Sequence, residues 1–352
     1  MRFGSIVVAA LIAPLAAAPR QPVATPLITD KMERVDPLSA RPVRLAGGVI
    51  GWPSLVYAQP VGFRRLTLDL YLPPASRARP AAGYPLVVYL HGGAWLAGDA
   101  RANRPFVDFP GVLASLAARG YAVASLEYRL SGEARFPAQI QDVKAAIRWI
   151  RSHASAYGID PARAMTWGVS AGGYLAALAA VSCGAAGLEP PTGGGGVGPP
   201  SSGAAEPPPS DCVQGAVAWY GLFDFATLAD QARKDSDISR DDRSAPEWRL
   251  LGCDAATCTG EQFAAASPIS YVDRRTPPIL LIVGDKDRLI PHQQTLDMTA
   301  RLEAAGVAHR LVVIPGADHS LLGKTLEQSR RQNLEALDET FRFIDATLKP
   351  SR

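Results

Sequence analysis

Aromatic side chains are scarce in this chain of 352 residues, at 7%, and neither sign of charge prevails: 36 Lys and Arg against 33 Asp and Glu leave a net +3. With so small an excess, and no Lys/Arg stripe interleaved with aromatics, nothing argues for a nucleic-acid partner. Beyond the N-terminus no apolar run is long enough to span a bilayer. No internal repeat is visible. Only four cysteines occur, a number that fits an exported protein with disulfides, free buried thiols being the other reading. They fall in two local pairs, Cys183 with Cys212 and Cys253 with Cys258. Three connectivities are formally open. The local one is favoured, because a helix returning along a parallel sheet ends near the start of the next strand.

What is present begins with an export signature. Arg2 supplies a positive start, residues 6–13 an apolar stretch, and Ala16, Ala17 and Ala18 a small-residue cleavage region. Residues 1–18 are therefore expected to be a signal peptide, and the mature protein to be secreted or periplasmic. No stable membrane insertion is expected after cleavage; an uncleaved anchor is the alternative. Residues 19–60, rich in Pro and poor in periodicity, read as an irregular N-terminal arm.

From residue 61 to 350 the pattern is that of one α/β domain. Leu66, Leu68, Leu70 and Leu72 alternate as in a half-buried edge strand. Short continuous apolar runs follow at 86–90, 121–126, 216–219, 279–283 and 311–314, typical of strands buried on both faces. Helical spacing lies between them, most clearly at Ile140, Val143, Ile147 and Ile150 behind Pro137. Alternating strands and helices imply a parallel sheet covered on both sides. Two stretches depart from this. Residues 184–211, dominated by Gly, Pro and Ser, read as a flexible insertion. Residues 221–278 read as an irregular region with no clean amphipathic stretch, covering part of one face.

The chemistry centres on Ser170, in Gly168-Val169-Ser170-Ala171-Gly172 between a strand-like and an Ala-rich helical stretch. A Gly-x-Ser-x-Gly turn this sharp lifts the hydroxyl off the sheet and sets it at a helix N-terminus, where unpaired N–H groups favour negative charge. A serine nucleophile needs a base, a group to orient the base, and donors for the oxyanion. His319 lies five residues past the last strand-like run and fits the base. His153, His292 and His309 have blander positions on a helix face, at a helix start and at a strand start. For the orienting acid, Asp287 and Asp285 both follow a strand. Asp287 is favoured for its reach across to the histidine loop, and Asp285 is expected to bond N–H groups within its own turn. Asp318 reads as a solvated turn residue. Gly92 and Gly93, after Leu90-His91, and the N–H of Ala171 are the expected oxyanion donors, with Ala94 able to replace or join one of them. The order Ser, Asp, His is that of the α/β-hydrolases.

At these residues the chain resembles the α/β-hydrolase superfamily, and more closely the His-Gly-Gly-Gly type carboxylesterases grouped with bifunctional feruloyl/acetylxylan esterases. Phrases that recur there include His91-Gly92-Gly93-Ala94-Trp95, Glu127-Tyr128-Arg129-Leu130-Ser131, Tyr157-Gly158-Ile159-Asp160-Pro161, Trp219-Tyr220-Gly221 and Ser267-Pro268-Ile269. Ala94 departs from the third glycine of the family's oxyanion motif, and the insertion after Cys183 has no counterpart. The resemblance implies an α/β-hydrolase fold, a mostly parallel central sheet with helices on both faces. It implies a serine esterase acting on short acyl esters, small-molecule or carbohydrate, including acetyl or feruloyl groups on plant cell-wall carbohydrate. No metal and no organic cofactor are needed for such chemistry. A general carboxylesterase or lipase-like enzyme is the alternative, and a prolyl-oligopeptidase-type peptidase a more distant one. Trp52, Trp95 and Trp248 are candidates for sugar stacking, with packing roles favoured.

Overall fold

The computed structural model describes residues 41–191, 209–235, 240 and 243–348. The expected signal peptide, the first part of the arm, most of the insertion and the last residues of the expected domain lie outside them. The described residues build one twisted sheet of nine strands in the order β1-β2-β3-β5-β4-β6-β7-β8-β9. The strands are β1 Val43–Arg44, β2 Ile50–Ala58, β3 Leu66–Leu72, β4 Tyr84–Leu90, β5 Ala122–Leu126, β6 Ile159–Val169, β7 Ala216–Trp219, β8 Ile279–Gly284 and β9 His309–Ile314. From β5 to β9 every pairing is parallel, while β1, β2 and β3 pair antiparallel and β3 joins β5 antiparallel. This is the mostly parallel sheet expected.

Side-chain alternation divides the core between the two faces. Along β4, Leu86, Val88 and Leu90 enter one apolar cluster and Val87 and Tyr89 the other. Helices α2 (Ala138–Ser152), the short α3 (Ala154–Tyr157) and α4 (Ala171–Val181) close the first face. Ile140, Val143, Ile147 and Ile150 of α2 are fully buried there, each contributing about 2 kcal/mol of apolar burial. Helices α1 (Phe109–Ala118) and α9 (Leu326–Leu348) close the second through Phe109, Leu113, Ala336 and Ile344.

Four expectations are corrected. The arm is not irregular to residue 60: Ile50–Ala58 is a nine-residue strand. Its alternation is broken by Pro53, which cannot donate to the ladder and sits where the register shifts between Trp52 and Leu55. Because β2 covers it, β3 is interior and not an edge. The sheet instead ends at β9, where Val313 stays 39% exposed, so that strand is not buried on both faces. The described part of residues 221–278 contains three α-helices, α5 (Phe225–Asp235), α6 (Pro246–Leu251) and α7 (Gly260–Ala266), and a 3-10 turn at Pro268–Tyr271. Of these α5 is amphipathic, burying Phe225, Leu228, Ala229 and Ala232.

Both local disulfides form. Cys183 and Cys212 stand 4.9 Å apart at Cα and Cys253 and Cys258 5.1 Å. The first closes the base of the insertion together with a buried ion cluster. Lys144, fully buried on α2, donates to the Ser182 carbonyl at 2.8 Å and meets Glu189 at 2.9 Å and Asp211 at 3.2 Å. Burial pulls the Lys144 amine below its ordinary range, against the opposing pull of Asp211. Tying residues 29 apart removes chain entropy from the unfolded state. The double variant Cys183→Ser/Cys212→Ser is expected to lose about 3 kcal/mol of stability, read from the denaturation midpoint and slope in urea.

Candidate active site

The turn from β6 into α4 is as tight as its sequence demands. Ser170 takes φ 53° and ψ −120°, a left-handed conformation that side chains rarely adopt. Its N–H donates to the Trp219 carbonyl at 2.9 Å, and its carbonyl accepts the first helical bond from Tyr174. Glycine is required on both sides. A Cβ on Gly168 would stand 2.1 Å from the Gly172 carbonyl oxygen, and one on Gly172 2.0 Å from that of Leu90.

Two loops converge on this serine. Nε2 of His319 lies 3.0 Å from Ser170 Oγ, and its Nδ1 lies 2.8 Å from Asp287 Oδ2. The other carboxylate oxygen of Asp287 accepts the N–H groups of Leu289 and Ile290, so the acid, only 2% exposed, is held on three sides. The neighbouring acids have structural work. Asp285 accepts the N–H of Gly316 at 2.6 Å, bridging to the histidine loop and not bonding within its own turn as expected. Asp318 is not merely solvated: Oδ1 accepts the N–H of Arg288 and of His319. Two acids thus fasten the β8 and β9 loops together and leave the third for the imidazole.

The loop after β4 approaches from the other side. His91 is fully buried and stacks on Tyr128 at 4.3 Å between ring centres. Its Nδ1–H donates to the Gly92 carbonyl at 2.7 Å, while the Tyr128 hydroxyl donates to the His91 carbonyl. Gly93, with φ +115°, leaves no room for a side chain: a Cβ would stand 2.0 Å from the Ala97 carbonyl oxygen. Among the described residues the N–H groups of Gly92, Gly93, Ala94 and Ala171 have no backbone acceptor, which leaves them for an oxyanion near the serine. Of seven non-glycine residues with positive φ among those described, six surround this site: Ala94, Trp95, Ser170, Tyr220, Ser320 and Leu321. Such strain persists only where packing over-determines it.

Beside Ser170 lies an enclosed, mostly apolar cavity of about 60 Å³ walled by Ala94, Trp95, Leu222, Ile290 and others. A buried ion pair, Arg240 with Glu247 at 3.1 Å, forms part of its lining. The residues that sequence reasoning left without a role are Tyr220, whose ring sits edge-on to His319 at 4.8 Å, and this ion pair. Tyr220 directly follows a buried strand, the position from which side chains reach a sheet-end site, and that was the available signal. Trp95 and Trp248 are buried and Trp52 packs edge-on to Tyr157, so all three tryptophans pack. Among the described residues no three His, Cys, Asp or Glu side chains are grouped to hold a metal ion, and no helix is long and apolar enough to cross a membrane.

Burial lowers the His91 imidazole below its ordinary value of 6.5, partly offset by the Gly92 carbonyl. The ring is then neutral when folded and readily protonated when unfolded. This contribution is whole above pH about 6.5; below it the unfolded ring takes up a proton that the buried ring resists, and stability declines until the buried ring itself charges. An NMR titration of the imidazole signals is expected to give His91 a midpoint below 6.5.

Comparison with known proteins bears on this arrangement. The family model BD-FAE matches residues 68–302. Esterase LipQ of Mycobacterium tuberculosis is 30% identical over 260 residues, covering 74% of this chain and 55% of the relative. Esterase LipC of the same organism is 31% identical over 263 residues, covering 72% and 56%. The chain thus spans about half the length of the curated relatives it matches. A truncated carbohydrate esterase from gut microbiota superposes with a TM-score of 0.65 at 30% identity, covering 85% of this chain and 96% of that one. With a family match over two thirds of its length and the β4-β6-β7 strands carrying the serine turn, the chain belongs to the BD-FAE family and has the α/β-hydrolase fold.

Proposed function

We propose that this protein is a serine carboxylic-ester hydrolase for short acyl esters, with carbohydrate-borne acetyl groups as its leading substrate class. The observation that carries the proposal is the unbroken chain Ser170 Oγ, His319 Nε2, His319 Nδ1, Asp287 Oδ2 at 3.0 and 2.8 Å. In this reading His319 takes the Ser170 proton as Oγ attacks the ester carbonyl. The backbone N–H groups of Ala171 and of the Gly92, Gly93 and Ala94 turn receive the developing oxyanion, aided by the N-terminus of α4. Asp287 keeps the Nδ1 proton in place and stabilises the imidazolium. His319 then gives its proton to the departing alcohol, and water repeats the sequence on the acyl-enzyme.

The size of the acyl group follows from the cavity. At about 60 Å³ it holds only a few water-sized groups, which favours acetyl over longer chains. The methyl of Ala94, on the cavity wall, narrows it further. Carbohydrate as the alcohol rests on the family match and on the gut-microbiota relative's name. A small-molecule carboxylesterase is the second reading, favoured by the names of the mycobacterial relatives and by the burial of the candidate stacking tryptophans Trp95 and Trp248. Export to the periplasm or beyond, after removal of residues 1–18, is part of the proposal. Its support is the charged and apolar start of the chain and the two disulfides.

The purified mature protein is expected to release acetate from acetylated, feruloylated arabinoxylan. Release of ferulate in its place would name the other acyl group. No release alongside hydrolysis of p-nitrophenyl acetate would favour the small-molecule reading. In each case Ser170→Ala should abolish turnover. Asp287→Asn should lower kcat by about 10⁴-fold and Asp285→Asn far less, since its carboxylate serves a backbone N–H; the reverse ranking would reassign the acid.

A further inference from the structure

A second and larger cavity, of about 480 Å³, lies on the other side of two segments that wall the nucleophile's pocket. Ala94 and Trp95 face Ser170 while the next residue, Leu96, lines the larger cavity. Pro246 and Glu247 of α6 face Ser170 while Trp248 and Arg249 line the larger one. Its volume is that of a small-ligand site. Among the described residues its lining charge is one-sided: Arg135, Arg243 and Arg249 all contribute and no carboxylate does.

The arginines differ in how they are held. Arg243 is neutralised by Asp254. Arg135 and Arg249 make no ion pair or side-chain hydrogen bond with any described residue, although Arg135 is seated: its guanidinium lies so close over Gly252 that a Cβ there would meet Nη1 at 2.5 Å. A polar group also waits in the wall, since Ser131 Oγ is buried without a hydrogen-bond partner. The walls are cross-tied, Ser131 N–H to the Trp95 carbonyl at 2.7 Å and Phe136 N–H to the Leu250 carbonyl at 2.9 Å. A cavity with two guanidinium groups that no described residue neutralises and a buried hydroxyl without a described partner suits an oxyanion, which can engage arginine in paired charge-assisted bonds.

We propose that this cavity is a subsite for an anionic group, a carboxylate or phosphate, carried by the substrate beyond the ester that Ser170 attacks. The preferred esters are then those of acidic sugars. The inference rests on the esterase reading for its setting, and its test separates the two.

Three acetyl esters are compared: of methyl glucuronoside, of glucose 6-phosphate and of neutral methyl glucoside. Wild-type protein is expected to favour at least one acidic ester over the neutral one by about tenfold in kcat/KM, the yield of a single charge-assisted contact. That preference should shrink with added salt and fall close to unity in Arg135→Gln/Arg249→Gln. Which acidic ester leads identifies carboxylate or phosphate as the anion. Equal rates on acidic and neutral esters, or a preference untouched in the double variant, would overturn the subsite. If none of the esters is hydrolysed, the esterase reading is in question and the subsite is decided by calorimetry. Binding of methyl glucuronoside or glucose 6-phosphate that is lost in the double variant supports it, and no binding, or equal binding, overturns it. Both arginines are exposed, and matching thermal melts confirm that the variant is folded.

Discussion

The absence of side chains at a few backbone crossings is the constraint on which this structure turns. Gly168, Gly172 and Gly173 bring β6, α4 and the ends of β4 and β7 within distances that no Cβ tolerates: 2.1, 2.0 and 2.6 Å to carbonyl oxygens. Only because the helix starts so close to the sheet can Ser170 be driven to φ 53° and present its hydroxyl above the strand ends. The same closeness lets the loop after β4 lie beside the serine, with Gly92 itself near Val169 and Ser170. Strain at one residue is thereby held by packing at many.

Carboxylates do the complementary work on the other side. Three aspartates sit in two loops, and each has a distinct assignment set by what faces it. Asp285 and Asp318 accept backbone N–H groups across the gap and lock the loops in register. Asp287, with two N–H donors on one oxygen, is left with the other aimed at His319. The imidazole is thus placed by a rigid pair of loops, with the Tyr220 ring against it. The small cavity beside Ser170 and the larger arginine-lined one draw lining residues from the same two segments, Ala94 to Leu96 and Pro246 to Arg249.

The region over the site carries the parts that periodicity alone does not reveal. The helices of 221–278 are short, and their buried residues Leu228, Trp248, Leu250 and Ala266 join the core cluster of the first sheet face, as do Met298 and Leu302 of α8 (Gln293–Ala304). Gln294 of α8 is fully buried and accepts the N–H groups of Phe223 and Asp224, stitching this cover to the body. A buried glutamine in a polar stretch and a six-residue helix such as α6 leave no repeating apolar signal.

What the sequence by itself determined is whatever depends on local spacing. The serine turn needs glycines two residues either side, parallel strands need continuous apolar runs, and α2 needs its four isoleucine and valine positions; each is readable without coordinates. The histidine after the last strand and the acid after the one before it are readable too, because their loops follow from strand order. Only tertiary structure decided the rest. Asp287 was separated from Asp285 and Asp318 by which N–H groups of distant loops each carboxylate meets. Pro53 was admitted to a strand because a register shift absorbs its missing donor, and β3 became interior because β2 covers it. The cationic lining of the second cavity comes from residues that include Arg135 and Arg249, 114 residues apart in sequence and joined only where the loop after β5 meets α6. Contacts of that range carry no local pattern, since they depend on which surfaces the sheet brings face to face.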